Sequence, residues 1–253
     1  MRPLFGGVFG KRQKAYFLTL HGHHFKRLIL GDAWQAERIE RELERFQGEN
    51  GFPPLIVRHE NELLLRYVDG RPFDPADPAD REALARFYAR LYRKSPRRES
   101  AQALPLTARL HRDLRFLADV GVLDQPDVPA LQARAASLQP DQVWLGYDYV
   151  DPVAKNFVLT DAGMVAVDVE SLVSDEVLGT GIAKARVHWL ADAQTKAFLE
   201  AIASAGGPDL GAQLPWVELC FLAGWTKRKV LQGKHGFVQP PLLKRFITSE
   251  AAP

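Results

Sequence analysis

A single cysteine, Cys220, in a chain of 253 residues leaves no partner for an internal disulfide and fits a reducing compartment. Its neighbours in Leu219-Cys-Phe-Leu are apolar, which reads as a packed thiol rather than a nucleophile. No apolar run approaches the roughly 20 residues of a membrane-spanning helix. Met1-Arg-Pro-Leu-Phe-Gly-Gly is too short and glycine-rich for a signal-peptide core, so the expected location is cytoplasmic, or peripheral on the inner membrane at most. Excess charge is missing too: 33 basic against 31 acidic residues leave +2, too little to advertise nucleic acid as a partner. Neither a Gly-x-Ser-x-Gly elbow nor a Walker A sequence occurs. His21, His23 and His24 cluster, but nothing around them completes a zinc site.

The apolar pattern implies a strand-rich first part and a helical remainder. Lys14–Leu20 and Phe25–Leu30 read as two strands joined by a turn containing Gly22. Asp32 suits a helix N-cap, with Trp34, Ile39, Leu43 and Phe46 at helical spacing behind it. Leu55–Val57 and Leu63–Val68 form a second hairpin around a polar turn. The expected division is therefore an amino-terminal lobe over 1–70 and a helical lobe over 71–253. In the latter, helices are expected at Leu84–Tyr92, Leu106–Leu123, Val128–Leu138, Trp189–Ala203 and Trp216–Leu231, with Ser95-Pro-Arg-Arg as a basic linker.

The segment most telling of chemistry runs from Gly146 to Glu170. Asp151 stands five residues before Asn156, which opens an apolar strand; Asp161-Ala-Gly163 turns the chain, and a second strand ends at Asp168. A strand–turn–strand unit of this kind brings Asn156 and Asp168 to one end, where an amide and a carboxylate oxygen suit Mg²⁺. Phosphoryl transfer uses such parts, one carboxylate to orient a hydroxyl and further oxygens to hold the metal.

On these residues the chain resembles the protein-kinase-like superfamily. The nearest branch is that of the small-molecule kinases, which includes the aminoglycoside, choline and lipopolysaccharide-core sugar kinases. The resemblance spans about residues 5–180 and implies a two-lobed α+β fold using ATP and Mg²⁺ to phosphorylate a hydroxyl of a small molecule or lipopolysaccharide-core sugar. By the same resemblance Asp151 is the catalytic carboxylate, with Asp148 as a rival three residues earlier. Lys155 would neutralise charge on the transferring group. Asn156 and Asp168 would hold the metal, and Glu170 a second cation or the next segment.

The resemblance also assigns Lys26 to the nucleotide phosphates and Glu42 as its helix partner; Arg27, Glu37 and Glu40 compete for those roles. Tyr67 and Val68, ahead of Asp69-Gly70, match the linker that seats adenine, and Gly10 lies in a glycine-rich loop suited to phosphate. Two departures stand out. Tyr149 occupies the place where the relatives carry His, and the loop lacks the Gly-x-Gly-x-x-Gly spacing. They keep open a pseudokinase scaffold that binds nucleotide or only a partner. The basic residues from Lys227 onward suit a helix terminus, or contact with an anionic membrane surface.

Overall fold

The structure is a computed structural model that describes residues 14–248; Gly10 and its loop lie outside them. The chain divides into two compact units, 1–73 with 154–172, and 74–153 with 173–253.

In the first unit, β1 (Lys14–Leu20), β2 (His23–Ile29), α1 (Ala33–Glu44), β3 (Leu55–His59), β4 (Glu62–Arg66) and the short β5 (Arg71–Pro72) follow in order. His21 and Gly22 join β1 to β2 with positive φ at both residues (50° and 79°), the conformation that a tight two-residue hairpin needs. The sheet order is β1-β2-β4-β3, and all its pairs are antiparallel. Asp32 caps α1, its carboxylate accepting from Gln35 N at 2.8 Å. The helix buries Ala36, Ile39, Glu42 and Leu43.

Next come α2 (Pro78–Tyr92), β6 (Arg97–Ser100), α3 (Leu106–Asp119), α4 (Asp127–Leu138) and β7 (Gln142–Tyr149) in the second unit. The hairpin β8 (Phe157–Thr160) and β9 (Gly163–Ala166) returns to the first unit; the rest of the chain forms β10 (Leu172–Val177), α5 (Thr180–His188), α6 (Asp192–Ser204), α7 (Leu214–Leu231) and α8 (Pro240–Thr248). The β8–β9 hairpin falls within the span 71–253 expected of the helical lobe. It groups with the first unit because β5 pairs with β8, Ala166 N donates to Gly51 O at 2.9 Å, and Phe73 packs edge-on against Phe157.

The second unit has its core where α3, α4, α7 and α8 meet, around Leu110, Leu114, Leu117, Leu131, Leu222 and Leu243. α3 stops earlier than its apolar pattern. Gly121 takes φ 73°, while Gly121 N bonds Ala118 O and Val122 N bonds Leu117 O at 3.0 and 2.8 Å. Arg97 and Arg98, expected within a linker, open β6, which pairs with β7, and the Arg98 guanidinium lies 4.8 Å from the Trp144 ring centre. Trp189, expected inside a helix, instead lies between α5 and α6 with φ −154°. Among the described residues no helix is long and apolar enough to cross a membrane.

Candidate active site

The first unit carries the metal-side candidates at the β8–β9 hairpin and the phosphate-side Lys26 on β2 of its other sheet. β8 and β9 pair Phe157 with Ala166, and Val167 N continues the ladder by donating to Asn156 O at 2.9 Å. Asn156 and Asp168 therefore lie at one end of the hairpin. Lys26, on β2 opposite Phe17 and Leu65, extends its ammonium to Val167 O at 2.9 Å, next to Asp168. Ser171 Oγ donates to Asp168 Oδ2 at 2.9 Å and fixes that carboxylate.

Glu170 adds a second acidic group. Burial, then the charge of Asp168, pushes its carboxyl up to about 7, against the opposing charges of Lys26 and Arg38. Its Oε1 is buried with no hydrogen-bond partner. Two neighbouring carboxylates, one with an orphaned oxygen, and an amide are a donor set that fits Mg²⁺, which takes few protein oxygens and keeps room for water and phosphate. Among the described residues no three His, Cys, Asp or Glu converge on a metal position.

Glu42 is buried on α1, 8 % exposed, one turn beyond Arg38. Burial lowers the Arg38 guanidinium, opposed by the charges of Glu42 and Glu170, and Arg38 Nη1 donates to Leu172 O at 3.1 Å. The competing candidates are engaged elsewhere: Arg27 with Glu62 at 2.7 Å, Glu37 with Arg41 at 3.4 Å, and Glu40 with Arg58. Past β4, Tyr67 N bonds His24 O at 3.0 Å, and the exposed Tyr67 ring meets Phe17 edge-on at 5.7 Å. Val68 follows, half-buried. Gly70 is required there, because a Cβ would lie 2.4 Å from Leu159 O. Lys155 is exposed within a short 3-10 turn, Ala154–Asn156.

In the second unit, Asp148 and Asp151 have different surroundings. Asp148 is fully buried and accepts four hydrogen bonds: Tyr149 N and Tyr92 OH on Oδ1 (2.7 and 3.2 Å), Gly179 N and Gly181 N on Oδ2 (3.0 and 3.2 Å). Burial nonetheless prevails over those donors and holds its carboxyl up at about 7. Asp151 is half-exposed and forms an ion pair with Lys184 of α5.

Tyr149 is buried rather than presented to a ligand. Its ring packs edge-on against Phe87 at 5.9 Å, and its carbonyl accepts from Tyr88 OH at 2.9 Å. Trp189 Nε1 donates to Pro152 O at 2.7 Å, tethering the chain just past Asp151. The Asp151 loop is thus held by an aromatic and carboxylate network on α2, β7 and α5. Lys184, Gly181 and the hydroxyls of Tyr88 and Tyr92 carry no motif of their own in the sequence; the closely spaced glycines of Gly179-Thr-Gly181 are the one local signal, and they mark Gly181.

No protein-family model matches the sequence, and no curated protein matches it. Solved structures do match the fold. A macrolide 2'-phosphotransferase from Brachybacterium faecium aligns with a TM-score of 0.65 at 14 % identity, covering 96 % of this chain and 91 % of that one. The choline kinase of Streptococcus pneumoniae aligns at 0.60 with 11 % identity, over 92 % and 86 %. A thermostable mutant of an aminoglycoside phosphotransferase, in a ternary complex with ADP and hygromycin B, aligns at 0.64 with 9 % identity, over 97 % and 93 %. This chain has the protein-kinase-like fold found in the small-molecule phosphotransferases.

Proposed function

We propose that the protein is a phosphotransferase that moves the γ-phosphoryl of ATP to a hydroxyl of a small molecule or a lipopolysaccharide-core sugar. The observation that carries this reading is the joint position of Asn156 and Asp168 at one end of β8–β9, with the Lys26 ammonium on the intervening Val167 carbonyl. Lys26 would hold phosphate oxygens with Glu42 as its helix partner, Tyr67 and Val68 would border the adenine, and Gly10 would belong to the phosphate-covering loop. Bound through Asn156 and Asp168, Mg²⁺ would neutralise phosphate charge as it shifts in the transfer.

Asp151 would orient the acceptor hydroxyl and take its proton. The hydroxyl oxygen forms the new bond to the γ-phosphorus as the bond to the β–γ bridging oxygen breaks, and ADP leaves with that electron pair. Lys155 would offset charge on the transferring group. Tyr149, in place of the relatives' His, would support the Asp151 loop through its packed ring and its bonded carbonyl.

The test is thermal unfolding with and without ATP and Mg²⁺, for the wild type and Asp168→Ala. A ligand at a hundred times its dissociation constant adds about 2.7 kcal/mol to the native state. In a chain of this size that raises Tm by roughly 5–10 °C. The expected result is a Mg²⁺-dependent shift that Asp168→Ala loses, and turnover on a suitable acceptor that Asp151→Ala abolishes with little change in nucleotide affinity. No shift at saturating nucleotide would leave a scaffold that keeps the fold without the ligand.

A further inference from the structure

The near balance of charge over the whole chain makes one local imbalance informative. Lys184, Arg228 and Lys234 all lie within charge range of Lys229, and so does Asp151, the ion-pair partner of Lys184. Other basic groups nearby are neutralised: Lys227 by Asp113, Lys244 by Asp124 and Asp127, and Arg245 by Glu218. Among the described residues, Arg228, Lys229 and Lys234 have no ion-pair partner. The residues come from two packed helices and the turn that follows. Lys184 and His188 are four apart on α5; Trp225 and Lys229 are four apart on α7, and the His188 and Trp225 rings meet edge-on at 6.4 Å.

Aromatic rings hold the central cation in place. Lys229 Nζ sits 5.3 Å from the Trp225 ring centre and 5.2 Å from that of the exposed Phe237. The local potential registers on its neighbours: burial and then the Lys184 charge lower His188, while burial and then Lys234 lower Lys229 itself. A helix terminus accounts for basic residues in the last turn of α7. It does not account for Lys184, which comes from another helix and closes on Asp151.

We infer that the acceptor is an anion, a hydroxyl compound bearing a phosphate or carboxylate that Lys184, Lys229 and Lys234 receive beside Asp151. This rests on the phosphotransfer reading and narrows it to one charge class. Choline is a cation, and a cationic acceptor would be repelled here. The acceptor's anionic group would draw Lys184 towards itself, leaving the Asp151 carboxylate available to the hydroxyl.

Glucose, glucosamine and glucose 6-phosphate test the inference, because they share one ring and differ in charge. Affinity is measured by titration calorimetry on the full chain saturated with ADP and Mg²⁺, so that phosphate on the probe reports away from the nucleotide. Glucose 6-phosphate is expected to bind about tenfold more tightly than glucose, with glucosamine weaker still. Lys229→Gln with Lys234→Gln should remove most of the preference without changing ADP affinity, and Lys229→Arg should keep it. Equal affinities, no detectable binding of any of the three, or a preference for glucosamine overturns the inference. So does a parallel loss of ADP affinity in the Gln variant, which would assign the cluster to the nucleotide. Binding to phosphatidylglycerol vesicles with no response to glucose 6-phosphate would make the patch a membrane contact and overturn it too. Failure of ADP itself to bind refutes the phosphotransfer reading instead, and the same three titrations without nucleotide still decide the charge preference.

Discussion

Replacing Gly181 by alanine puts a methyl group where the backbone leaves no room. A Cβ at this position would lie 2.1 Å from Tyr149 O, 2.6 Å from Tyr88 OH and 3.0 Å from Asp148 Oδ1. The nearest atom belongs to the backbone, so no side chain can swing aside to relieve it. Either α5 moves away or the Tyr149 carbonyl, two residues before Asp151, shifts. Either way the buried bond from Tyr88 OH to that carbonyl and the bond from Gly181 N to Asp148 are put at risk. Overpacking costs about 1–3 kcal/mol, and a buried group left without its partner about 1–3 more. Alanine returns about 1 kcal/mol as the better helix former. The net expectation is a loss of about 3 kcal/mol, or roughly 6–12 °C in Tm for a chain of this size.

Urea unfolding followed by tryptophan fluorescence measures it, with Gly224→Ala as the control. On α7 the Gly224 Cβ would meet only Asp113 Oδ2, at 3.4 Å, so that variant should stay within about 1 kcal/mol of wild type. Equal stability of Gly181→Ala and wild type would refute the steric argument. So would a larger loss at Gly224 than at Gly181.

Two further expectations follow from buried groups. The half-buried Cys220 thiol, pushed up to about 12 by burial on α7, should react with a disulfide reagent far more slowly than an ordinary free thiol; labelling of the native chain at the rate of a free thiol at neutral pH would contradict this. Asp148 has an ordinary value of 3.8 and is held at about 7 in the fold, so the native state takes up a proton between those values. Its contribution to stability is therefore full at low pH and declines by about 4 kcal/mol as pH rises through the folded value. Urea midpoints for wild type and Asp148→Asn near pH 5 and pH 8 should show wild type losing ground to the variant on the alkaline side. A gap that stays constant or widens in favour of wild type would contradict it.

The parts of the fold legible in the sequence are those with local causes. The Asp32 cap, the His21-Gly22 turn and the apolar faces of α2 and α7 each announce themselves within a few residues. α3 shows how a local signal can be overlooked: Gly121 closes the helix, while the apolar pattern runs on to Leu123. β6 is harder, because Arg97-Arg-Glu-Ser is polar throughout and becomes a strand only by pairing with β7. In the site, the Asp–Asn–Asp order was visible because it is compact in sequence. The Asp148 network was not, since Tyr92 and Gly179 come from opposite sides of β7 in the chain and meet only in the fold. Lys184, thirty-three residues beyond its partner Asp151, was hidden for the same reason.

The β8–β9 hairpin also matters for the order in which the protein can be made. Residues 74–153 leave the ribosome between the two portions of the first unit. At roughly 5–20 residues per second, that interval is some 4–16 s. Throughout it, Gly51 O and the β5 edge lack the strand that pairs with them, and Lys26 has no Val167 carbonyl to reach. The nascent amino-terminal sheet therefore waits open-edged for its last strands. A fragment ending at Phe73 would be left in that state permanently, with an unpaired edge that can recruit other chains.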